Sequence, residues 1–299
     1  MKQSRIIQGL MRIDSISDGQ VYDLLCFDLE RGISFFDLAD IYGGGEAERK
    51  VGRVLKAHPE LREKMFIQSK VSIYRAEGGN YYDLSRDHIL TGVNEILERL
   101  GISYLDSLLL HRPDILMEAD EVAEAFDILQ KQGKVRHFGV SNFSAGAMRY
   151  LANRLRQPIE YNQVQLGLGH MPMVSEALNF NMDNHEGTSR SEDTFFYMKK
   201  HSIQIQAWSP FLVGFFQGSL FDEGRYPDIN RALWEMANKY QVSRCAIATA
   251  FLLKLDKDLH VVTGSLNPDH IQECLDGEKI DLSKEDWYFL YRASGNMLP

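Results

Sequence analysis

Short apolar runs alternate along the chain with longer stretches in which apolar residues recur every three or four positions. The runs are RIIQGL (5–10), ISFFD (33–37), MFIQSK (65–70), DSLLLH (106–111), HFGVS (137–141), YNQVQ (161–165), IQIQAWS (203–209) and HVVTG (260–264), eight in all. Several are apolar and β-branched, as parallel strands covered on both faces are. Between them, Val21, Leu24, Leu25 and Leu29 share one helical face, as do Ile89, Val93, Ile96, Leu97 and Leu100 behind a Ser85 cap. Val122, Ala125, Phe126 and Leu129 follow an expected Asp120 cap and stop at Gly133. Leu233, Ala237 and Tyr240 mark a further helix, and Ala248, Phe251 and Leu252 another. Ser283-x-x-Asp286, ahead of Trp287, Leu290 and Tyr291, reads as a capping box.

Eight strands alternating with helices permit a closed barrel or an open doubly wound sheet. The open sheet usually carries a GxGxxG turn after its first strand, whereas Gly9-Leu10-Met11-Arg12 stands here. The expected fold is therefore α/β, a (β/α)8 TIM barrel. No linker or composition break interrupts the chain, so residues 1–299 are expected to form a single domain. The stretches 71–84, 166–192 and 209–230 exceed ordinary loop lengths and are expected at the C-terminal rim, where loops build binding sites.

Composition narrows the function classes. The 299 residues are 44% hydrophobic and 25% charged, with 23 Gly and 8 Pro, which excludes disordered and collagen-like chains. The 33 basic against 42 acidic residues give a net charge of −9, which disfavours nucleic acid as a partner. The basic cluster Lys131–His137 reads as a solvated helix end. Cys26, Cys245 and Cys274 form no CxxC and suit a reducing compartment without a disulfide framework. In MKQSRIIQGLMRID, Arg12 and Asp14 break the apolar run, so no signal peptide is expected. No apolar run reaches the roughly 18 residues of a membrane span. A cytoplasmic protein is the expectation. Neither HExxH nor paired cysteines occur, and His185-Glu186 leads only into Gly-Thr-Ser, so no metal is expected. Gly43-Gly44-Gly45 lacks a following GK[ST] and reads as a turn past Tyr42; Ser141 sits in GVSN rather than GxSxG.

Polar residues recur where the runs end: Asp37, Lys70, His111, Ser141-Asn142, Gln163, Trp208-Ser209 and Gly264-Ser265. In a (β/α)8 barrel these ends line one mouth, where catalysis resides. Tyr42 follows Asp37 by five residues. A phenol with a pKa of about 10 is a poor acid near neutrality, and an adjacent ammonium eases its ionisation. Lys70 is the candidate ammonium, Asp37 its counter-ion, and His111 a hydrogen-bond donor to a substrate oxygen. Such a set suits protonation of a carbonyl oxygen as it becomes an alkoxide. Phe211, Phe215, Phe216, Tyr74, Tyr81 and Tyr82 suit either an apolar substrate wall or loop anchoring. Asn267 followed by Pro268 reads as a helix start whose free N–H groups suit a phosphate.

The segments Phe36-Asp37-Leu38-Ala39-Asp40-Ile41-Tyr42-Gly43, Ser69-Lys70, Leu109-Leu110-His111-Arg112-Pro113, Gly139-Val140-Ser141-Asn142-Phe143, Asn162-Gln163-Val164 and Ala207-Trp208-Ser209-Pro210 together resemble the aldo/keto reductase superfamily. GKVRHFGVSNF and DLADIYGG resemble its bacterial oxidoreductase branch, and the likeness spans residues 5 to 293. The resemblance implies a barrel that binds NADPH without a Rossmann domain and reduces a small aldehyde or ketone. It implies a tetrad of Asp37, Tyr42, Lys70 and His111, with Tyr42 as general acid. It also implies that Ser141, Asn142 and Gln163 hold the nicotinamide carboxamide and that Trp208 stacks on the ring. Ser209, Leu212 and Gly214 would follow the pyrophosphate, with Gly264, Ser265, Asn267, His270 and Glu273 at the adenosine end. Where many members place an arginine for the 2′-phosphate this chain has His270, a weaker partner, so NAD stands as the alternative to NADP. Two other functions fit the same residues: a cofactor-sensing partner subunit, and a lyase forming a Schiff base on Lys70.

Overall fold

The computed structural model describes residues 4–76, 79–179, 182, 184–185, 187–188, 191 and 193–296. Up to Gln163 the elements are β1 (Ile6–Gly9), α1 (Asp18–Glu30), β2 (Phe35–Asp37), α2 (Glu46–Ala57), β3 (Phe66–Val71), β4 (Ile73–Ala76), β5 (Gly79–Tyr82), α3 (Arg86–Leu100), β6 (Leu105–Leu110), α4 (Ala119–Lys131), β7 (Val135–Ser141), α5 (Ala145–Ala152) and the start of β8 (Tyr161–Gln165). Then follow α6 (Pro172–Leu178), α7 (Thr194–Lys200), β9 (Gln204–Trp208), α8 (Pro227–Tyr240), α9 (Arg244–Leu253), β10 (His260–Thr263), α10 (Pro268–Gly277) and α11 (Lys284–Ala293). The chain divides into two compact units at Gln163/Val164.

Eight strands close a barrel in the order β1, β10, β9, β8, β7, β6, β3, β2. The eight apolar runs are these eight strands. Their residues are almost wholly buried, β1, β2, β6, β8 and β10 without exception, which explains why several of them read as apolar runs rather than alternation. Close strand approach has a local cause at Gly139: a Cβ there would lie 2.6 Å from Leu109 Cδ2 and 2.8 Å from the Tyr161 carbonyl oxygen.

The long stretches contain structure that the pattern did not announce. Within 71–84, β4 and β5 form an antiparallel hairpin pairing Tyr74 with Tyr81, whose rings stack at 4.8 Å. Both tyrosines are exposed, so no buried face left an apolar signature. Within 166–192, Gly167 bridges His170 and α6 follows; residues 180, 181, 183, 186, 189, 190 and 192 of that stretch lie outside the described residues. Within 209–230, Leu212 bridges Ser219, and α8 starts at Pro227.

Most caps stand where expected. Ser85 accepts from the His88 N–H, and Gly133 turns the chain after α4 with φ at +69°. Asp120 is a correction: α4 begins at Ala119 with Glu118 as its cap, and Asp120 falls in the first turn, where a carboxylate still opposes the helix dipole favourably. The 283–286 box is half formed. Ser283 accepts from the Asp286 N–H, but the Asp286 carboxylate turns to Lys239 and Tyr240. Among the described residues no helix is long and apolar enough to cross a membrane.

Candidate active site

Strand register assembles the site in the first unit. Asp37 pairs with Gln68, Gln68 with Ser107, Lys70 with Leu109, and Ser141 with Gln163. Residues paired across parallel strands point to one side, and side chains alternate along a strand. Asp37, Gln68, Ser107 and Lys70 therefore share a face. Lys70 is fully buried and spends its three N–H bonds on three oxygens: Asp37 Oδ2 at 2.7 Å, the Leu38 carbonyl at 2.6 Å and the Tyr42 hydroxyl at 3.1 Å. Because Lys70 donates to the phenol oxygen, the phenol's own proton points elsewhere. The Tyr42 N–H closes a tight turn by donating to the Ala39 carbonyl. Gly43, Gly44 and Gly45 then all take positive φ, at 57°, 65° and 85°, a path that side chains with a Cβ resist. His111 leaves β6 with its N–H on the Val71 carbonyl, and its ring stands edge-on to Tyr42 at 6.1 Å.

The electrostatics differ from the expectation in one respect. Burial pushes the Tyr42 hydroxyl above its ordinary range; Lys70 pulls it down, Asp37 pushes it up, and the balance is upward. Lys70 thus eases an ionisation that the surroundings oppose, and the free site holds Tyr42 protonated. Burial alone would lower the Lys70 ammonium, but Asp37 and Tyr42 outweigh it and Lys70 stays charged. Burial, with Lys70 and Arg112 nearby, drives His111 well below the usual imidazole range, so its ring is neutral.

Beside the tetrad, Ser141 Oγ donates to the Gln163 carbonyl at 2.8 Å, and the Asn142 amide donates to Ser141 Oγ at 2.8 Å. Asn142 holds φ at 61°, a conformation asparagine tolerates. Gln163 does more than the sequence suggested: its side-chain amide reaches Asp37 Oδ1 at 2.9 Å. Hydroxyl, amide and carbonyl groups are gathered here, the group types that hydrogen-bond a carboxamide.

The second unit holds the remaining candidates in two groups. Trp208 ends β9 half-buried, its ring 6.0 Å from Phe216. Ser209 and Gly214 both take positive φ, and the Gly214 N–H donates to the Gly169 carbonyl while its own carbonyl accepts from Gln165. Gly167 and Gly169 leave no space for a Cβ against Pro210 and Val213, so the 209–214 segment, with Leu212, is laid down tightly. In the other group, Asn267 caps α10 by accepting from the Asp269 N–H, and Ser265 Oγ lies 3.3 Å from Nδ1 of the exposed His270. Gly264 and Glu273 are half-buried. A helix start and a hydroxyl–imidazole pair are group types that suit a phosphate. Cys274 is buried with its sulfur 3.7 Å from that of Cys245, and all three cysteines are free.

Several working residues escaped the sequence. Gln68 Nε2 donates to Asp37 Oδ1 at 2.6 Å and Ser107 Oγ donates to Gln68 Oε1 at 2.9 Å, all buried. The available signal was a glutamine inside an apolar strand, two positions before Lys70. Buried Glu48 accepts from Ser69 Oγ and Arg99 Nε, each at 2.6 Å. Nearby Asp40 is pushed up to about 7, chiefly by burial and by Glu48, with Arg99 and Lys70 opposing. Among the described residues no group of three or more His, Cys, Asp or Glu is placed to hold a metal; Glu186 lies outside them.

Comparison with known proteins places the chain in a family. The family model for the aldo/keto reductase family matches residues 5–290. The chain is 32% identical over 305 residues to 6-dehydroglucose reductase of Agrobacterium fabrum, with 97% of this chain and 94% of that one covered. It is 31% identical over 298 residues to the oxidoreductase YdhF of Escherichia coli, covering 97% and 93%. Among solved structures it is similar to an aldo-keto reductase from Klebsiella pneumoniae in complex with NADPH, at a TM-score of 0.78 and 23% identity over 99% of this chain and 92% of that one. The last likeness speaks for the fold.

Proposed function

The chain belongs to the aldo/keto reductase family, and from that premise we propose that it reduces a small aldehyde or ketone to the alcohol with NADPH, Tyr42 supplying the proton. The observation that carries the reading is Lys70, saturated by Asp37, the Leu38 carbonyl and the Tyr42 hydroxyl. NADPH, when bound, supplies the hydride, which is the cofactor's own chemistry.

The chain's residues do the rest. Tyr42 enters the reaction protonated, with its O–H directed away from Lys70 and towards the substrate side. Neutral His111, edge-on to Tyr42, carries one ring N–H that orients the carbonyl oxygen. As the oxygen gains charge, Tyr42 gives up its proton, and the Lys70 ammonium already seated on the phenol oxygen stabilises the phenolate. Asp37 keeps that ammonium charged and in place. Ser141, Asn142 and Gln163 would hold the carboxamide, and Trp208 would offer its ring to the nicotinamide. Ser209, Leu212 and Gly214 would follow the pyrophosphate, with Gly264, Ser265, Asn267, His270 and Glu273 receiving the adenosine end.

The relative named 6-dehydroglucose reductase supports carbonyl reduction. A Schiff-base lyase would need the free lone pair of a neutral amine on Lys70, and three oxygen acceptors hold Lys70 as the ammonium instead. The test is Tyr42→Phe, assayed by NADPH oxidation over a panel of aldehydes and ketones. Turnover should fall by about 10²–10⁴-fold while NADPH fluorescence titration is little changed. Near-normal turnover would remove Tyr42 from the acid role. NADPH binding by the unsubstituted protein with no oxidation of it across the panel would favour the sensing subunit.

A further inference from the structure

A glutamine amide inside a barrel strand costs free energy unless both of its ends are satisfied. Gln68 is fully buried on β3 and both ends are engaged: Nε2 donates to Asp37 Oδ1 at 2.6 Å, and Oε1 accepts from Ser107 Oγ at 2.9 Å. The pairing sets the amide's direction. A carboxylate only accepts, so the NH2 end must face Asp37, and the Ser107 hydroxyl then serves the oxygen end. A second amide, from Gln163, lands on the same Oδ1 at 2.9 Å. Oδ2 meanwhile accepts from Lys70 at 2.7 Å. Two amides on one oxygen and an ammonium on the other fix the carboxylate's plane, and that plane fixes where Nζ sits, 3.1 Å from the Tyr42 hydroxyl.

We propose that Gln68, oriented by Ser107, is a positioning residue for proton transfer: it fixes the Asp37 carboxylate so that Lys70 is held against the Tyr42 oxygen. This role rests on Tyr42 being the proton donor. Gln68 acts through Asp37, to which its amide donates. It exerts this control without adding charge to a buried site that already holds Asp37, Lys70 and the ionisable Tyr42 and His111, with Asp40, Glu48 and Arg99 close behind.

The test compares Gln68→Met, Gln68→Glu and Ser107→Ala with the unsubstituted protein. Each is read by kcat and KM against pH, by NADPH fluorescence titration, and by carbon NMR of ring-labelled tyrosine with the Tyr42 signal assigned through Tyr42→Phe. Gln68→Met removes the donor at similar length, and kcat should fall about tenfold or more with KM and NADPH affinity within about twofold. Gln68→Glu sets a second carboxyl against Asp37. The two share a proton, and once it is lost the added negative charge should raise the Tyr42 ionisation by about one unit, carrying the alkaline limb of kcat with it. Ser107→Ala should give a smaller fall in kcat than Gln68→Met. The proposal is overturned if kcat of the folded variants stays within about twofold of the unsubstituted protein and the Tyr42 signal titrates unchanged. Should Gln68→Met fail to fold, the isosteric glutamate and Ser107→Ala decide the matter. If the unsubstituted protein oxidises no NADPH, the reductase reading fails, while the Tyr42 titration still decides whether Gln68 positions the site.

Discussion

Lys70 and Asp37 form an ion pair sealed from solvent, Nζ to Oδ2 at 2.7 Å, with side-chain exposures of 0% and 3%. A pair this dry is held by mutual need: either charge alone would be stranded. Lys70→Met should therefore destabilise the protein by about 3–5 kcal/mol, read by urea unfolding, in addition to abolishing turnover. Removing both charges, with Asp37→Leu added, should restore part of that stability and none of the activity. A Lys70→Met protein as stable as the parent would mean that the ion pair contributes nothing.

Asp28 on α1 has no exposed surface, and neither carboxylate oxygen has a hydrogen-bond partner. Burial pushes its acid up to about 8, with Arg31 opposing. Between the unfolded value near 3.8 and that value the folded state keeps a proton the unfolded state has lost. Stability due to this group is thus full below about pH 4 and declines as pH rises through 8. Asp28→Asn should flatten the decline, so that its melting temperature overtakes the parent's in alkaline buffer. Parallel melting curves from pH 5 to about 9 would contradict this.

His111 works in the opposite sense. Its folded pKa lies well below the unfolded value because burial, Lys70 and Arg112 oppose a positive ring. Below about pH 6.5 the unfolded chain takes up a proton the folded protein refuses, so stability falls as pH drops through that window. His111→Asn should remove this share of the acid sensitivity, measured by urea midpoints at successive pH values. An unchanged acid slope would show that other groups carry it.

His270, proposed for the adenosine end, lies exposed in the first turn of α10 with its Nδ1 3.3 Å from Ser265 Oγ. A guanidinium binds phosphate in a bidentate, permanently charged fashion that imidazole does not. His270→Arg should tighten NADPH about tenfold and leave NADH almost unmoved, compared by fluorescence titration. Equal changes for both cofactors would place the 2′-phosphate away from this residue.

The sequence by itself determined the eight barrel strands and the chemistry available. Eight apolar runs became eight barrel strands because strands covered on both faces leave a purely local record. Asp37, Lys70 and His111 stood out because polar residues at strand ends break that record, and Tyr42 because it follows Asp37 by five residues. The β4–β5 hairpin left none, since Tyr74 and Tyr81 lie exposed on it. What the tertiary structure alone decided was electrostatic and relational. Gln163 reaching Asp37 across 126 positions, Gln68 and Ser107 bracing the same carboxylate, and the upward balance on Tyr42 all depend on register and burial. Charges act through space, and their strength is set by the water excluded around them, a property of the folded barrel that no local stretch of sequence records.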